Sequence, residues 1–176
     1  MTRTLLAAVL LLLACRVPAT AQEVTVTAEY RVKAAYLYNF VKFVEWPAQQ
    51  SSVLTICVAG RNPFGTVLEE LVRGEVVSGR RLESRVIPGP EPGCHALFVP
   101  QGANTPAYLQ AVRGQPILTI GEERGFIESG GMARFFIDGG KVRFEINPRG
   151  AEQAGLRISA RLLRLARIVG AQGGPG

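Results

Sequence analysis

The chain has 176 residues, 47% of them hydrophobic and 19% charged, with a formal net charge of +6. These proportions exclude a disordered chain, which is poor in apolar residues and rich in charge, and the length suits one domain that buries a core without metal or disulfide staples. The positive excess is scattered rather than gathered into a basic stripe, so nucleic-acid binding is not indicated; without residues 1–21, which carry Arg3, Arg16 and no acid, it falls to +4.

The chain opens with a short cationic stretch, Met1-Thr2-Arg3. An unbroken run of Leu, Ala and Val follows over residues 5–14, then the small-x-small pattern Ala19-Thr20-Ala21. Residues 1–21 therefore read as a signal peptide, since the apolar run is too short to span a bilayer. Residues 22–170 are then a single exported domain, and 171–176 a flexible tail. Leu12-Leu13-Ala14-Cys15 is a competing pattern, similar to a lipobox, in which Cys15 would carry lipid. Apart from Cys15, two cysteines remain, Cys57 and Cys94. Two cysteines in an oxidising compartment usually pair, and the residues leave two buried free thiols as the alternative. No metal site is expected, because His95 is the only histidine and no ligand cluster surrounds it. No cofactor is implied.

Residues 29–46 carry Tyr30, Ala34, Leu37, Val41 and Val44 on one helical face, with Tyr36, Phe40 and Phe43 as a second apolar row. The polar stripe of Asn39, Lys42 and Glu45 is thin, which predicts a helix deeply buried or placed in an interface. Trp46-Pro47 ends it, because a residue before proline disfavours helix. VLTICVA at 53–59 reads as a buried strand, 60–65 as a turn and 66–73 as a short helix. Residues 80–87 read as a more polar strand near an edge, PGPEPG at 88–93 as a surface loop, and 95–100 as a second buried strand.

Residues 106–113 form a helix with Thr105 as its cap, and 116–120 a third apolar strand. Residues 133–146 form a hairpin about Asp138-Gly139-Gly140. Its second arm sends Val142, Phe144 and Ile146 to one face and Arg143, Glu145 and Asn147 to the other. Helical segments close the chain at 148–155 and 159–169, the last capped by Ser159. The alternation of strands and helices predicts an α/β three-layer sandwich: a mostly parallel central sheet, a C-terminal antiparallel hairpin and helices on both faces.

Gly60-Arg61-Asn62-Pro63-Phe64-Gly65 lies between a strand and a helix, where α/β proteins bind phosphate. It lacks the endings of a P-loop or dinucleotide motif, so a plain turn competes with an anion site built on Arg61. Gly130 and Gly131 lead into the hairpin and would permit close approach of a ligand or partner, against the reading of a simple turn. Cys94 and His95 are strand neighbours that point to opposite faces, which argues against a nucleophile and base pair. Glu122, Glu123, Glu128 and Glu145 show no spacing that selects an acid–base pair. Arg161, Arg164 and Arg167 read as a solvated helix face, with docking on an acidic partner or anionic lipid headgroups as the alternative. No constellation for catalysis emerges, so the chain is not expected to be an enzyme.

Three blocks carry a resemblance: KAAYLYNFVKFVEWP at 33–47, LTICVAGRNPFG at 54–65 and GGMARFFIDGGKVRFEINPRGAEQAGLRISARLLRLA at 130–166. CHALFVP at 94–100 and PILTIGEERGF at 116–126 extend it. Together they resemble the YfiR family of periplasmic proteins over nearly the whole mature chain. The resemblance implies a regulator. The family's namesake represses an inner-membrane diguanylate cyclase, and an outer-membrane lipoprotein relieves the block by sequestering it. The namesake is dimeric and disulfide-bonded. By that pattern Cys57 and Cys94 match one of its cysteine pairs, while a second pair near the hairpin has no counterpart here. The implied partners are an inner-membrane diguanylate cyclase or sensor protein, an outer-membrane lipoprotein and a second copy of the chain. The alternative from another class is a periplasmic module that binds a small solute through the 60–65 turn and the 130–132 loop.

The mature protein is expected to begin at Gln22 and to fractionate with the periplasm. Intact-mass measurement of the exported protein checks this, and a lipid-bearing species beginning at Cys15 refutes it.

Overall fold

The computed structural model describes residues 26–47 and 51–170; the signal-peptide reading, the Cys15 alternative and the 171–176 tail lie outside the described residues. The elements in chain order begin with α1 (Ala28–Phe43), β1 (Val44–Glu45), β2 (Val53–Ala59), α2 (Val67–Val72), β3 (Val76–Val77), β4 (Arg80–Ile87) and β5 (Ala96–Val99). They continue with α3 (Thr105–Ala111), β6 (Leu118–Gly121), β7 (Ala133–Asp138), β8 (Lys141–Ile146), α4 (Pro148–Gln153), β9 (Arg157–Ile158), α5 (Ala160–Leu163) and β10 (Arg167–Ile168).

Thr27 caps α1, its hydroxyl accepting the Tyr30 N–H. The helix stops at Phe43, earlier than its proline signal, because Val44 and Glu45 turn extended and pair antiparallel with β9. The main sheet has eight strands in the order β10-β8-β7-β6-β5-β2-β4-β3. The run β4, β2, β5, β6, β7 is parallel throughout. β8 folds back on β7 across Gly139 and Gly140, both at positive φ (55° and 72°). This is the left-handed backbone that a two-residue hairpin needs.

The mostly parallel strand order is as expected, but the three-layer sandwich is not. The sheet curls through 218° about an axis into a half-barrel. The reason lies in α1. Its Tyr38 hydroxyl meets the Glu75 carboxylate, beside β3 at one end of the sheet. Its Tyr36 and Phe40 rings pack on Phe144 of β8, near the other end, with centroids 5.1 and 4.9 Å apart. Six strand spacings separate β8 from β3, roughly 29 Å in a flat sheet, whereas a helix with its side chains is about 10–12 Å across. One helix touches both ends only if the sheet wraps round it. The apolar rows that predicted deep burial are thus satisfied by one sheet rather than by separate layers.

Strand alternation divides the apolar residues into two clusters. Leu54, Ile56, Val58, Phe98, Ile120, Phe135 and Phe144 point inward to α1, with α2 and Leu162 closing the cluster. Cys57, Ala59, Leu97 and Val99 point outward and meet Tyr108 and Leu109 of α3. Two local expectations change as well. Asn104, not Thr105, caps α3 by accepting the Ala107 N–H. The last helix is α5 alone; the chain then leaves as β10, parallel to β8, with Arg167 opposite Glu145. Arg161, Arg164 and Arg167 therefore do not form one helical face: the Arg161 guanidinium lies over Phe43 and that of Arg167 over Phe136.

Phe40 is 1% exposed and stacks on Phe135 at 5.6 Å. Phe40→Ala is expected to cost about 3–5 kcal/mol of unfolding free energy, measured by urea denaturation. Lost oligomerisation with unchanged monomer stability would instead assign Phe40 to an interface.

Candidate functional site

From β2 the chain moves one way to β4 and the other way to β5. That reversal is the topological switch point, and open α/β sheets bind ligands at the carboxyl ends of the strands beside it. In this protein the 60–65 turn, the residues after β5 and β6, and the first turns of α1 meet there. Glu122 is the hub. It accepts from the Tyr30 hydroxyl at 3.2 Å and the Gln101 N–H at 2.8 Å, and pairs with the Lys33 ammonium, which also pairs with Glu29. Glu123 accepts from Thr105 Oγ1 at 2.9 Å and the Gly102 N–H at 3.3 Å. Lys33 is only 4% exposed, and a buried ammonium is tolerated only when paired and hydrogen-bonded.

Burial, then the Glu122 charge and hydrogen bond and the Glu29 charge, push the Tyr30 phenol up to about 12, against an opposing effect of Arg61. The phenol therefore stays protonated and donates to Glu122. This arrangement locks α1 to the carboxyl end of the sheet, after its interior strands β5 and β6. Its carboxylates are occupied by donors rather than poised to move protons.

Arg61 is exposed in the turn beside this lock. The turn itself is closed on its own groups: Asn62 Oδ1 accepts the Phe64 N–H at 2.9 Å and Asn62 Nδ2 donates to Gly65 O at 2.8 Å. Phe64 is fully buried, packed edge-on against Tyr30 and tilted against Phe98. Gly130 and Gly131 lie elsewhere. Gly130 lines a recess of about 270 Å³ with Arg113, Asn147 and Gln153, and Arg61 is not among its lining residues. Gly131 is buried against Phe126; a Cβ there would sit 2.2 Å from the ring, and one at Gly121 would meet the same ring at 2.2 Å. Gly131 is thus required by packing.

Cys57 and Cys94 are joined in a disulfide that staples β2 to the residues leading into β5, on the outer face of the sheet. This removes any thiol partner for His95. The imidazole is buried, with Nδ1 accepting the Thr55 N–H at 3.1 Å and Nε2 lying 2.7 Å from the Arg80 guanidinium. Burial first, then the Arg80 charge, push it below its ordinary value of 6.5. His95 is therefore neutral at physiological pH. Among the described residues no group of three or more His, Cys, Asp or Glu is arranged to hold a metal ion.

A second buried charge sits on the outer face of the hairpin. Glu145 is 5% exposed and is held by Arg134 Nε at 2.6 Å and Arg167 Nε at 2.9 Å, with both guanidinium groups over the Phe136 ring. Neither lock was singled out from sequence, although both left signals. Lys33 falls between Tyr30 and Leu37 on the apolar face of α1 and stands four residues after Glu29, so it needs a buried acid. Arg134 falls opposite Glu145 once the hairpin is folded about Gly139 and Gly140.

Burial alone would push the Glu145 carboxyl up, but the hydrogen bonds and charges of Arg134 and Arg167 hold it below its ordinary 4.5. A carboxyl depressed in the folded state stabilises above its unfolded value and loses that contribution as pH falls through the folded value. Glu145→Gln is therefore expected to lower stability by about 1.5–3 kcal/mol near neutral pH, the usual range for bonds to a charged group. The gap to wild type should narrow below pH 4.5. Urea denaturation of both proteins at the two pH values checks this; a gap that does not change with pH refutes it.

Against protein-family models, the one described as YfiR/HmsC-like matches residues 30–167, from the first turn of α1 into β10. That stretch holds the Lys33–Glu122 pair, the Glu145 cluster, the disulfide and all of the curled sheet but Ile168. The chain belongs to the YfiR/HmsC-like family.

Proposed function

We propose that the protein is a non-enzymatic regulator of the bacterial periplasm, which binds an inner-membrane diguanylate cyclase and holds it inactive. The observation that carries this reading is membership of the YfiR/HmsC-like family over residues 30–167. The chemistry of the chain supports it. The buried carboxylates Glu122 and Glu145 are engaged by donors, the thiols Cys57 and Cys94 are spent on a disulfide, and His95 is buried and neutral. Action then falls to a surface. A bound regulator changes its target only by preferring one conformation of it. A tenfold preference is worth about 1.4 kcal/mol, so firm repression takes several times that. A homodimer and an outer-membrane lipoprotein that draws the regulator away belong to the same proposal.

A second reading, a periplasmic binding module for a small solute, has one observation in its favour: the recess at Gly130 gathers Arg113, Asn147 and Gln153 around a volume of about 270 Å³.

Deleting the gene is expected to raise cellular cyclic di-GMP and promote biofilm formation. The wild-type chain should reverse both effects, and a Cys57→Ser chain should reverse them poorly. Cyclic di-GMP quantified in the deletion and complemented strains checks this. An unchanged level on deletion, under conditions where the protein is made, overturns the cyclase reading and moves the solute-binding reading ahead.

A further inference from the structure

The main sheet ends in β3, which is two residues long and covers β4 only at Arg80 and Arg81. Among the described residues no strand pairs with the outer side of β4 beyond that point. Three bonds establish which backbone groups face outward. The Arg81 N–H donates to Ser52 O and Ile87 O accepts the Gly60 N–H, so odd-numbered residues of β4 address β2. The Leu82 N–H goes the other way, to Glu75 O. Even-numbered residues therefore point away from β2, and Ser84 and Val86 present their N–H and C=O groups at the open edge. Open edges are usually blunted by proline, charge, bulges or cover. Arg81, Glu83 and Arg85 put charge on β4, but the β2 register runs unbroken from Val53 opposite Arg81 to Ala59 opposite Ile87, and β4 contains no proline.

The inner side of this edge is a groove. Two recesses that share Glu69 and Ser84 run together between α2 and β4; their lining mixes charged residues such as Glu69 and Arg73 with Val58, Leu68, Val72 and Leu82, which are at most 3% exposed. Val86 is 45% exposed there. A row of outward peptide groups beside a groove with one exposed apolar side chain, Val86, suits strand addition. The backbone of the added strand pairs with the edge, and its alternate side chains enter the groove.

We propose that an extended segment of a protein partner adds to the sheet along Glu83–Ile87 of β4, with an apolar side chain packed on the exposed Val86. A second copy of the chain suits this edge poorly. Antiparallel self-pairing centred on Ser84 drives Val86 of each copy into Glu75 of the other, which already holds the Leu82 N–H. Centring on Arg85 sets two guanidinium groups opposite each other, and like charges so placed repel. Centring on Val86 sets Pro88, which has no N–H, against Ser84. A separate segment that ends at the level of Glu83 meets none of these obstacles.

The inference rests on the regulator reading, and its test separates the two. Val86→Pro and Ser84→Pro each remove one outward N–H and spare the β2 ladder, which uses the odd residues; Ser84→Ala keeps the N–H. Each variant, expressed in the deletion strain, is scored for cyclic di-GMP, and its purified form for urea midpoint and mass in solution. We expect both proline variants to fold with a midpoint near that of wild type, to keep its mass in solution, and to lose at least tenfold in repression. Ser84→Ala should repress fully. Should the proline variants misfold, Val86→Glu, which keeps the backbone and charges the groove, should show the same loss. A folded proline or Val86→Glu variant that represses like wild type overturns the edge proposal while leaving the regulator reading intact. So does a proline variant whose mass in solution drops, since that assigns the edge to self-association. If the wild-type chain itself fails to repress, the regulator reading falls first.

Discussion

The enclosure of α1 is the constraint on which the other features depend. Its apolar rows cover most of its circumference: Ala34, Leu37, Phe40 and Val41 are at most 1% exposed, and Tyr36, Tyr38 and Phe43 pack on the same cluster. A flat sheet covers one side of such a helix and leaves Phe and Tyr rings in water, at about 25 cal/mol for each Å². Curling the sheet through 218° covers them and brings both ends of the sheet to one helix. The curl has two consequences. Lys33, on the enclosed side of α1, loses its water and needs Glu122 and Glu29. The sheet also does not close on itself, so it keeps two edges, each ending in a two-residue strand, β3 and β10.

The outer face of the same sheet is thinly covered, with α3 as its principal lid and a smaller apolar cluster. The disulfide lies on this side. It bridges residues 37 apart, and closing a loop of that length is worth about 4 kcal/mol by the chain-entropy estimate. That contribution comes from restricting the unfolded chain, so it stabilises the fold as a whole. The staple also holds the 88–93 loop, because Cys94 ends that loop while Arg85 of β4 donates to Pro92 O at 2.6 Å. Oxidation therefore reaches β4 by two routes, through β2 and through the loop.

The longer elements were legible in the sequence, but the two-residue strands β1, β3, β9 and β10 were not. Helical spacing gave α1, β-branched runs gave β2 and β5, the Gly139-Gly140 pair gave the hairpin, and export with two cysteines pointed to the bridge. The curl was not legible, because strand periodicity reports which side chains share a face and says nothing of how far that face bends. β10 was missed for a related reason: Arg167 and Ile168 continue a helical pattern, and only Glu145, far off in sequence, draws them into the sheet. The 130–131 glycines were legible as special positions but not in their role. A missing side chain reads alike whether a ligand or the Phe126 ring fills the space. Among the candidate residues, sequence favoured exposed groups such as Arg61, whereas the strongest electrostatic features are buried pairs whose partners lie 89 and 11 residues apart.

A surface that acts by preferring one conformation of its target must itself be stiff, since a soft contact adapts to both conformations and separates neither. Stiffness is unevenly distributed over this molecule. The exposed side of α1 offers Val32 and Ala35 on a helix held by core packing, and Ile137 near the hairpin tip is exposed beside it. β4 differs from both. Seven consecutive register pairs tie it to β2, β2 is bonded covalently to the start of β5, and Arg85 is fixed to the loop between them. Its outward peptide groups are therefore held at fixed spacing, and a strand that pairs with them must adopt that spacing. Any partner conformation that cannot supply an extended segment loses those bonds altogether. Such an all-or-none difference separates two states of a target more sharply than a graded apolar contact does.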